Sequence, residues 1–104
     1  MNIKMIKQLS ASGSLRWTDH ALERMLKRGI SREEIKHILA NGEIIEEYHK
    51  DYPFPSCLIY GETCNESPLH VVCGIGDDEL WIITSYFPDL LKWNIDYKTR
   101  RTKS

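Results

Sequence analysis

Residues 17–30 read W-T-D-H-A-L-E-R-M-L-K-R-G-I, and their order decides the fold. Thr18 or Asp19 is placed to cap a helix, and Gly29 to end it. At roughly 100° per residue, His20, Arg24, Lys27 and Arg28 fall within about a third of the circumference. Ala21, Leu22, Met25 and Leu26 fall on the other side. One face is suited to dock on a sheet, while the other presents a histidine and three cations. An imidazole of near-neutral pKa beside fixed positive charge suits the grip of a phosphate, or chemistry on one.

Working outward, residues 2–12 read as a short helix with Ile3, Ile6 and Leu9 along one side. Residues 10–14, with Gly13, break it, and residues 15–17 are briefly extended. Beyond Gly29, Ser31 stands three residues before Glu34, the capping-box spacing. A second helix therefore runs from about Arg32 to Ala40, with Ile35, Ile38 and Leu39 as its apolar stripe and Asn41-Gly42 as its stop. From Glu43 the period changes. Strands are expected over 43–48, 56–61, 69–76 and 79–87, separated by the prolines at 53 and 55, by Asn65 to Pro68 and by Gly76-Asp77-Asp78. The run Leu80-Trp81-Ile82-Ile83 marks the last strand as central. Pro88 ends it, residues 89–93 make one helical turn, and residues 96–104 form a loose basic tail. The order predicts an α+β domain, with N-terminal helices packed on one face of a roughly four-stranded antiparallel sheet.

The length of 104 residues suits a single domain over 1–104, with its core at about 15–95. At 41% hydrophobic and 28% charged, the composition is that of an ordinary globular chain and not a disordered one. No apolar run approaches the ~20 residues that span a bilayer. The first residues lack the apolar core and cleavage site of a signal peptide. Cys57, Cys64 and Cys73 form no C-x-x-C pair, which suggests a reducing, cytoplasmic setting and thiols used as small apolar groups. A Cys57–Cys64 bridge across a hairpin stays open. The net charge of −1 hides a split, with acids gathered at Glu43, Glu46, Glu47 and Asp51 and bases on the main helix and in the tail.

His20, one turn from Arg24 and two from Arg28, is the first candidate for chemistry. Cations stacked at this spacing repel one another unless an anion neutralises them. His70 is better read as a strand histidine with a satisfied ring nitrogen. Thr84 and Tyr86 share a face at the end of the last strand, because side chains alternate. Tyr86 is either a phosphate donor or a core-edge aromatic. Ser85 lies in no G-x-S-x-G, so a serine hydrolase is not proposed. Gly74-Ile75-Gly76 opens no helix and reads as a turn. Tyr52, Phe54, Trp81 and Trp93 are more readily core than stacking platforms. The Cys and His spacings match no metal pattern, so neither metal nor cofactor is expected.

The segments H-A-L-E-R-M-L-K-R-G-I, N-G-E-I-I-E-E-Y, D-Y-P-F-P-S-C-L-I, P-L-H-V-V and I-I-T-S-Y-F-P-D-L-L-K-W, with a terminal R-R, resemble a bacterial and archaeal family of small domains of unknown function. That family is similar to the barnase–EndoU–colicin–RelE ribonuclease superfamily, the fold of many toxins of toxin–antitoxin pairs. The resemblance implies helices followed by a curved antiparallel sheet, metal-independent RNA cleavage and a small antitoxin as partner. It lays the family's histidine on His20, its arginines on Arg24 and Arg28, and its strand-end polar position on Thr84 and Tyr86.

The expectation is an endoribonuclease in which the RNA 2′-hydroxyl attacks the adjacent phosphate. His20 would act as acid or base, Arg24 and Arg28 would hold the phosphate, and Thr84 or Tyr86 would orient it. Lys27, Lys92, Lys98, Arg100 and Arg101 would bind the RNA backbone. The rival is a non-catalytic RNA- or protein-binding module using the same helix face. The acidic residues between Glu43 and Asp51 are candidates for a partner contact.

Overall fold

In the computed structural model, which describes residues 2–102, each helix begins where its sequence supplies an acceptor. Helix α1 (Ile3–Ala11) opens with the Asn2 carboxamide accepting from the Lys4 amide at 2.8 Å. Strand β1 (Leu15–Trp17) follows. Helix α2 (Asp19–Arg28) is capped by Thr18, whose hydroxyl accepts from the Ala21 amide at 3.0 Å. It stops at Gly29, whose φ of 67° suits a residue without Cβ. Helix α3 (Arg32–Asn41) carries the full capping box between Ser31 and Glu34.

Strands β2 (Glu43–Tyr48), β3 (Ser56–Glu62), β4 (Pro68–Gly76) and β5 (Glu79–Tyr86) then form an antiparallel meander. The sheet has five strands, in the order β1-β5-β4-β3-β2, and it is mixed. This corrects the expectation of four antiparallel strands. Leu15–Trp17 pairs in parallel with Leu80–Ile82. A three-residue strand carries too few side chains to show a period, and its partner lies some 65 residues away in the chain. The pairing does account for the apolar run of β5, which is flanked on both sides where β1 reaches.

Beyond Ile82 the sheet edge changes character. Val72 pairs with Thr84 while Cys73 pairs with Ile82, so Ile83 is the extra residue of a β-bulge. Strand β1 has ended there, and α2 borders the exposed edge instead. Thr18 donates its amide (3.3 Å) and its hydroxyl (2.9 Å) to the Ile82 carbonyl, and the Arg28 guanidinium donates to the Ser85 carbonyl. Edge carbonyls that would template another strand are thereby occupied.

Side chains alternate across the sheet. Cys57, Ile59, Leu69, Val71, Cys73, Leu80 and Ile82 join Ile6, Ala21, Met25, Ile30, Ile35, Ile38 and Leu39 in the core under the helices. The opposite face is also covered, which the sequence reading did not expect. Trp93, only 2% exposed, stands edge-on to the His70 ring with centroids 4.5 Å apart. Residues 92–101 fold back on themselves through a Trp93–Arg100 bridge, with Arg101 donating its amide to Lys92 (2.9 Å) and Asn94 to Thr99 (2.8 Å). Arg100 forks onto Glu46 (2.7 and 3.0 Å), and Lys98 pairs with Glu43 (3.1 Å). The expected loose tail is therefore a third layer as far as residue 101; Lys103 and Ser104 lie outside the described residues. Among the described residues no helix is long and apolar enough to cross a membrane.

Candidate functional site

The C-terminal end of α2, the end of β5 and the folded-back segment meet around an open cleft of about 670 Å³. Its lining is Arg28, Tyr86, Phe87, Asp89, Lys92, Trp93 and Arg100. Each arrives for a local reason. Arg28 is the last residue of α2 and is fixed by its bond to the Ser85 carbonyl. Tyr86 ends β5, and its register partner is His70. Asp89 starts a tight turn after Pro88, its carboxylate accepting from the Leu91 (2.8 Å) and Lys92 (3.2 Å) amides. That turn directs Lys92 and Trp93. Arg100 returns across Trp93, its guanidinium 4.7 Å from the ring centroid.

The cleft is cationic. Arg28, Lys92 and Arg100 face one lining carboxylate, Asp89. Arg100 is paired with Glu46, and each holds the other ionised: the Glu46 carboxyl lies below its usual range because of Arg100, and the guanidinium is raised in turn. Tyr48, also bonded to Glu46 (2.6 Å), is pushed up to about 12 by burial and then by that bond. Burial likewise raises the Tyr86 phenol. At neutral pH, then, Tyr86 is an uncharged hydroxyl beside cations, and a phosphate oxygen is the kind of group that those cations hold.

Beneath Tyr86 lies His70, fully buried. Its Nε2 lies 2.7 Å from the Tyr97 carbonyl, which only accepts, so Nε2 carries the proton. In the neutral ring Nδ1 then accepts from the Tyr86 hydroxyl at 3.2 Å. Burial lowers the imidazole from its ordinary range, against the raising effect of the Tyr97 bond. A strand histidine with satisfied nitrogens is what the sequence suggested, although this one is wholly buried.

The sequence candidates thus separate. Arg28, Tyr86, Lys92 and Arg100 converge on the cleft; His20, Arg24, Lys27 and Thr84 do not line it. His20 is exposed in the first turn of α2. Eight residues at a rise of ~1.5 Å put it about 12 Å from Arg28 along the axis. Lys27 pairs with Glu23 at 3.1 Å. Thr84 shares the Tyr86 face of the sheet, opposite Val72. Lys98 reaches Glu43 and lies over the Tyr60 ring, and Arg101 donates to the Leu90 carbonyl. Glu43 and Glu46, considered above for a partner, are therefore engaged within the chain, as is Asp51, which accepts from Ser56. Sequence reasoning missed Phe87, Asp89 and the support from His70. An Asp directly after Pro88 and two residues before Leu91 is a turn signal that could have located Asp89. The bonds of His70, to Tyr86 and to Tyr97, span 16 and 27 residues and leave no local mark.

Away from the cleft, Trp81 donates to the Gly76 carbonyl (3.1 Å) and packs with Phe54, leaving Tyr52 exposed. All three cysteines are free. Cys57 faces Cys73 across β3 and β4, sulfurs 3.9 Å apart, whereas Cys64 is exposed in the turn, which corrects the Cys57–Cys64 alternative. The neighbouring Cys57 sulfur, and then burial, raise the Cys73 thiol. Among the described residues no three His, Cys, Asp or Glu side chains gather in a way that could hold a metal ion.

Comparison with curated proteins and with solved structures finds no match. A family model described as "Domain of unknown function (DUF4258)" matches residues 17–87, from the last residue of β1 through β5. That span contains Arg28, Tyr86 and Phe87 of the cleft and stops before the Asp89–Arg100 wall. Covering about two thirds of the 104 residues, the match shows that the chain belongs to the DUF4258 family, a domain of unknown function.

Proposed function

We propose that the protein binds RNA in this cleft and cleaves it as a metal-independent endoribonuclease, with a small antitoxin as its partner. The convergence of Arg28, Lys92 and Arg100 around the Tyr86 hydroxyl carries the RNA reading. The resemblance to ribonuclease toxins supports the cleavage step and the partner. In this reading the three cations hold the phosphate and stabilise charge on its equatorial oxygens as the 2′-hydroxyl attacks. Tyr86, protonated at working pH, gives its hydrogen to His70 and orients the RNA through its oxygen, as an acceptor. Asp89, the lining carboxylate, takes the 2′-hydroxyl proton and water protonates the leaving 5′-oxygen, so that the products are a 2′,3′-cyclic phosphate and a free 5′-hydroxyl. The test is incubation of the protein with single-stranded RNA in the presence of a chelator, beside Tyr86→Phe and Asp89→Asn. Cleavage by the parent protein and its loss in both variants is expected; an intact RNA refutes the catalytic step.

One observation favours a second reading, an RNA-binding module without catalysis. The two histidines of interest are poorly placed for acid–base work: His20 stands about two turns from the cleft end of α2, and both nitrogens of His70 are bonded. RNA that is bound in a salt-sensitive way and stays intact would establish this reading.

A further inference from the structure

We propose that His70 is the positioning residue of the cleft, fixing the Tyr86 hydroxyl from below while tethering, through Tyr97, the segment that carries Lys92 and Arg100. Its bearing on RNA rests on the function proposed above; its structural content does not. The argument begins with one ring making two bonds to two different walls. Nδ1 holds the last residue of β5, and Nε2 holds the backbone of the folded-back segment. The ring cannot swivel freely. Tyr60 lies edge-on at 5.9 Å between centroids, Tyr86 at 5.2 Å and Trp93 at 4.5 Å. Its setting favours one tautomer, because moving the proton to Nδ1 would leave Nε2 facing the Tyr97 carbonyl with no hydrogen between them.

The charged and titratable groups facing it are Glu46 of β2, Tyr60 of β3, Tyr86 of β5 and Arg100 of the segment. Glu46 favours a protonated ring and Arg100 opposes it. A second proton would turn Nδ1 into a donor, so that the Tyr86 oxygen would accept from it and the hydroxyl hydrogen would turn toward the cleft. The cleft should therefore lose its arranged acceptor as the ring is protonated.

Two near-isosteric replacements separate the bonds. In His70→Gln the side-chain amide reaches the Nε2 position and can still donate to Tyr97, but nothing accepts from Tyr86. In His70→Asn the carbonyl oxygen lies near the Nδ1 position and keeps the Tyr86 acceptor, while the Tyr97 tether is lost. Nitrogen-detected NMR of the RNA-free parent protein should show an unprotonated Nδ1 and a protonated Nε2. Amide exchange across residues 94–101 should quicken about tenfold or more in His70→Asn and stay near parent rates in His70→Gln. Affinity for a short labelled single-stranded RNA should fall about tenfold in His70→Gln, as in Tyr86→Phe, and the double variant should fall no further. The parent's affinity should also decline as His70 titrates, a step missing from the His70→Gln profile. A parent ring protonated on Nδ1 alone overturns the proposal without any variant. Unchanged exchange in both variants does so as well. If the parent binds no RNA, the functional reading fails while the NMR and exchange results still decide the role of His70.

Discussion

Two histidines show what a residue's chemistry does and does not reveal. His20 advertises itself by stacking with Arg24 and Arg28, yet the cleft lies at the other end of the helix, where Arg28 alone reaches it. Arg28→Ala or Lys92→Ala should each weaken binding of single-stranded RNA by about three- to tenfold, the worth of a charge-assisted hydrogen bond in a half-open site. His20→Ala should leave it within about twofold. A titration of the three variants at one salt concentration checks this, and a dominant loss in His20→Ala would move the site onto the helix face. His70 carries the pH dependence. Burial sets its folded pKa below the ordinary value, so the unfolded chain binds the proton more readily. Stability from this group is full above the ordinary histidine range and declines as pH falls through that range toward the folded pKa. Urea midpoints between about pH 7.5 and pH 5 should therefore drop in the parent protein and drop less in His70→Gln. Neither nitrogen's partner is near in sequence, which is why residue type and alternation suggested a satisfied strand histidine and went no further.

At the scale of elements, what was legible is what depends on local chemistry. Thr18, Gly29, Ser31 with Glu34, and Gly42 mark helix ends in the sequence, and the helices begin and end there. The capping hydroxyl of Ser31 accepts from Glu34 at 3.1 Å, and Ser31→Ala should cost about 1 kcal/mol in a denaturant melt. Gly42 is more constrained than a helix stop requires. A Cβ there would lie 2.6 Å from the carbonyl oxygens of both Ile38 and Tyr60. Both are backbone atoms, so α3 would have to move off β3, and Gly42→Ala should destabilise by about 1–3 kcal/mol. A cost no larger than that of an exposed glycine change would mean that α3 and β3 do not approach so closely. Strand β1 illustrates the opposite case. Its three residues are recognised as a strand only through Leu80–Ile82, and that parallel pairing is what makes room for α2 along the remaining edge of β5. The cleft inherits its Arg28 wall from a contact that no local pattern encodes.

The whole molecule decides how many of its cations meet a phosphate. A net charge of −1 excludes bulk attraction, and the sequence offered five bases as backbone contacts, Lys27, Lys92, Lys98, Arg100 and Arg101, with Arg28 beside Arg24 to hold the phosphate. Folding divides them. Lys27 turns to Glu23 and Lys98 to Glu43, and Arg101 is bonded to Leu90, leaving Arg28 and Lys92 at the cleft together with Arg100, which it shares with Glu46. The tail's pairing with β2 is thus both the third layer of the fold and a withdrawal of charge from the surface. Trp93 beneath it is nearly solvent-free, so Trp93→Ala should cost about 3–5 kcal/mol and loosen the Lys92 and Arg100 wall with it. The division of charge also fixes a salt dependence. Three phosphate contacts on a single strand give a slope of log affinity against log salt near −2, at about −0.7 per contact. Raising salt from about 50 to 200 mM should then weaken binding roughly twentyfold. Six contacts would give a slope near −4 and a loss of roughly three-hundredfold over the same interval. A fluorescence-anisotropy series across that range separates the two. A slope near −4 would mean that Lys27, Lys98 and Arg101 leave Glu23, Glu43 and the Leu90 carbonyl to meet RNA. A slope near −2 that stays so in Glu46→Gln places the contacts on the cleft and leaves the β2 pairings as structure.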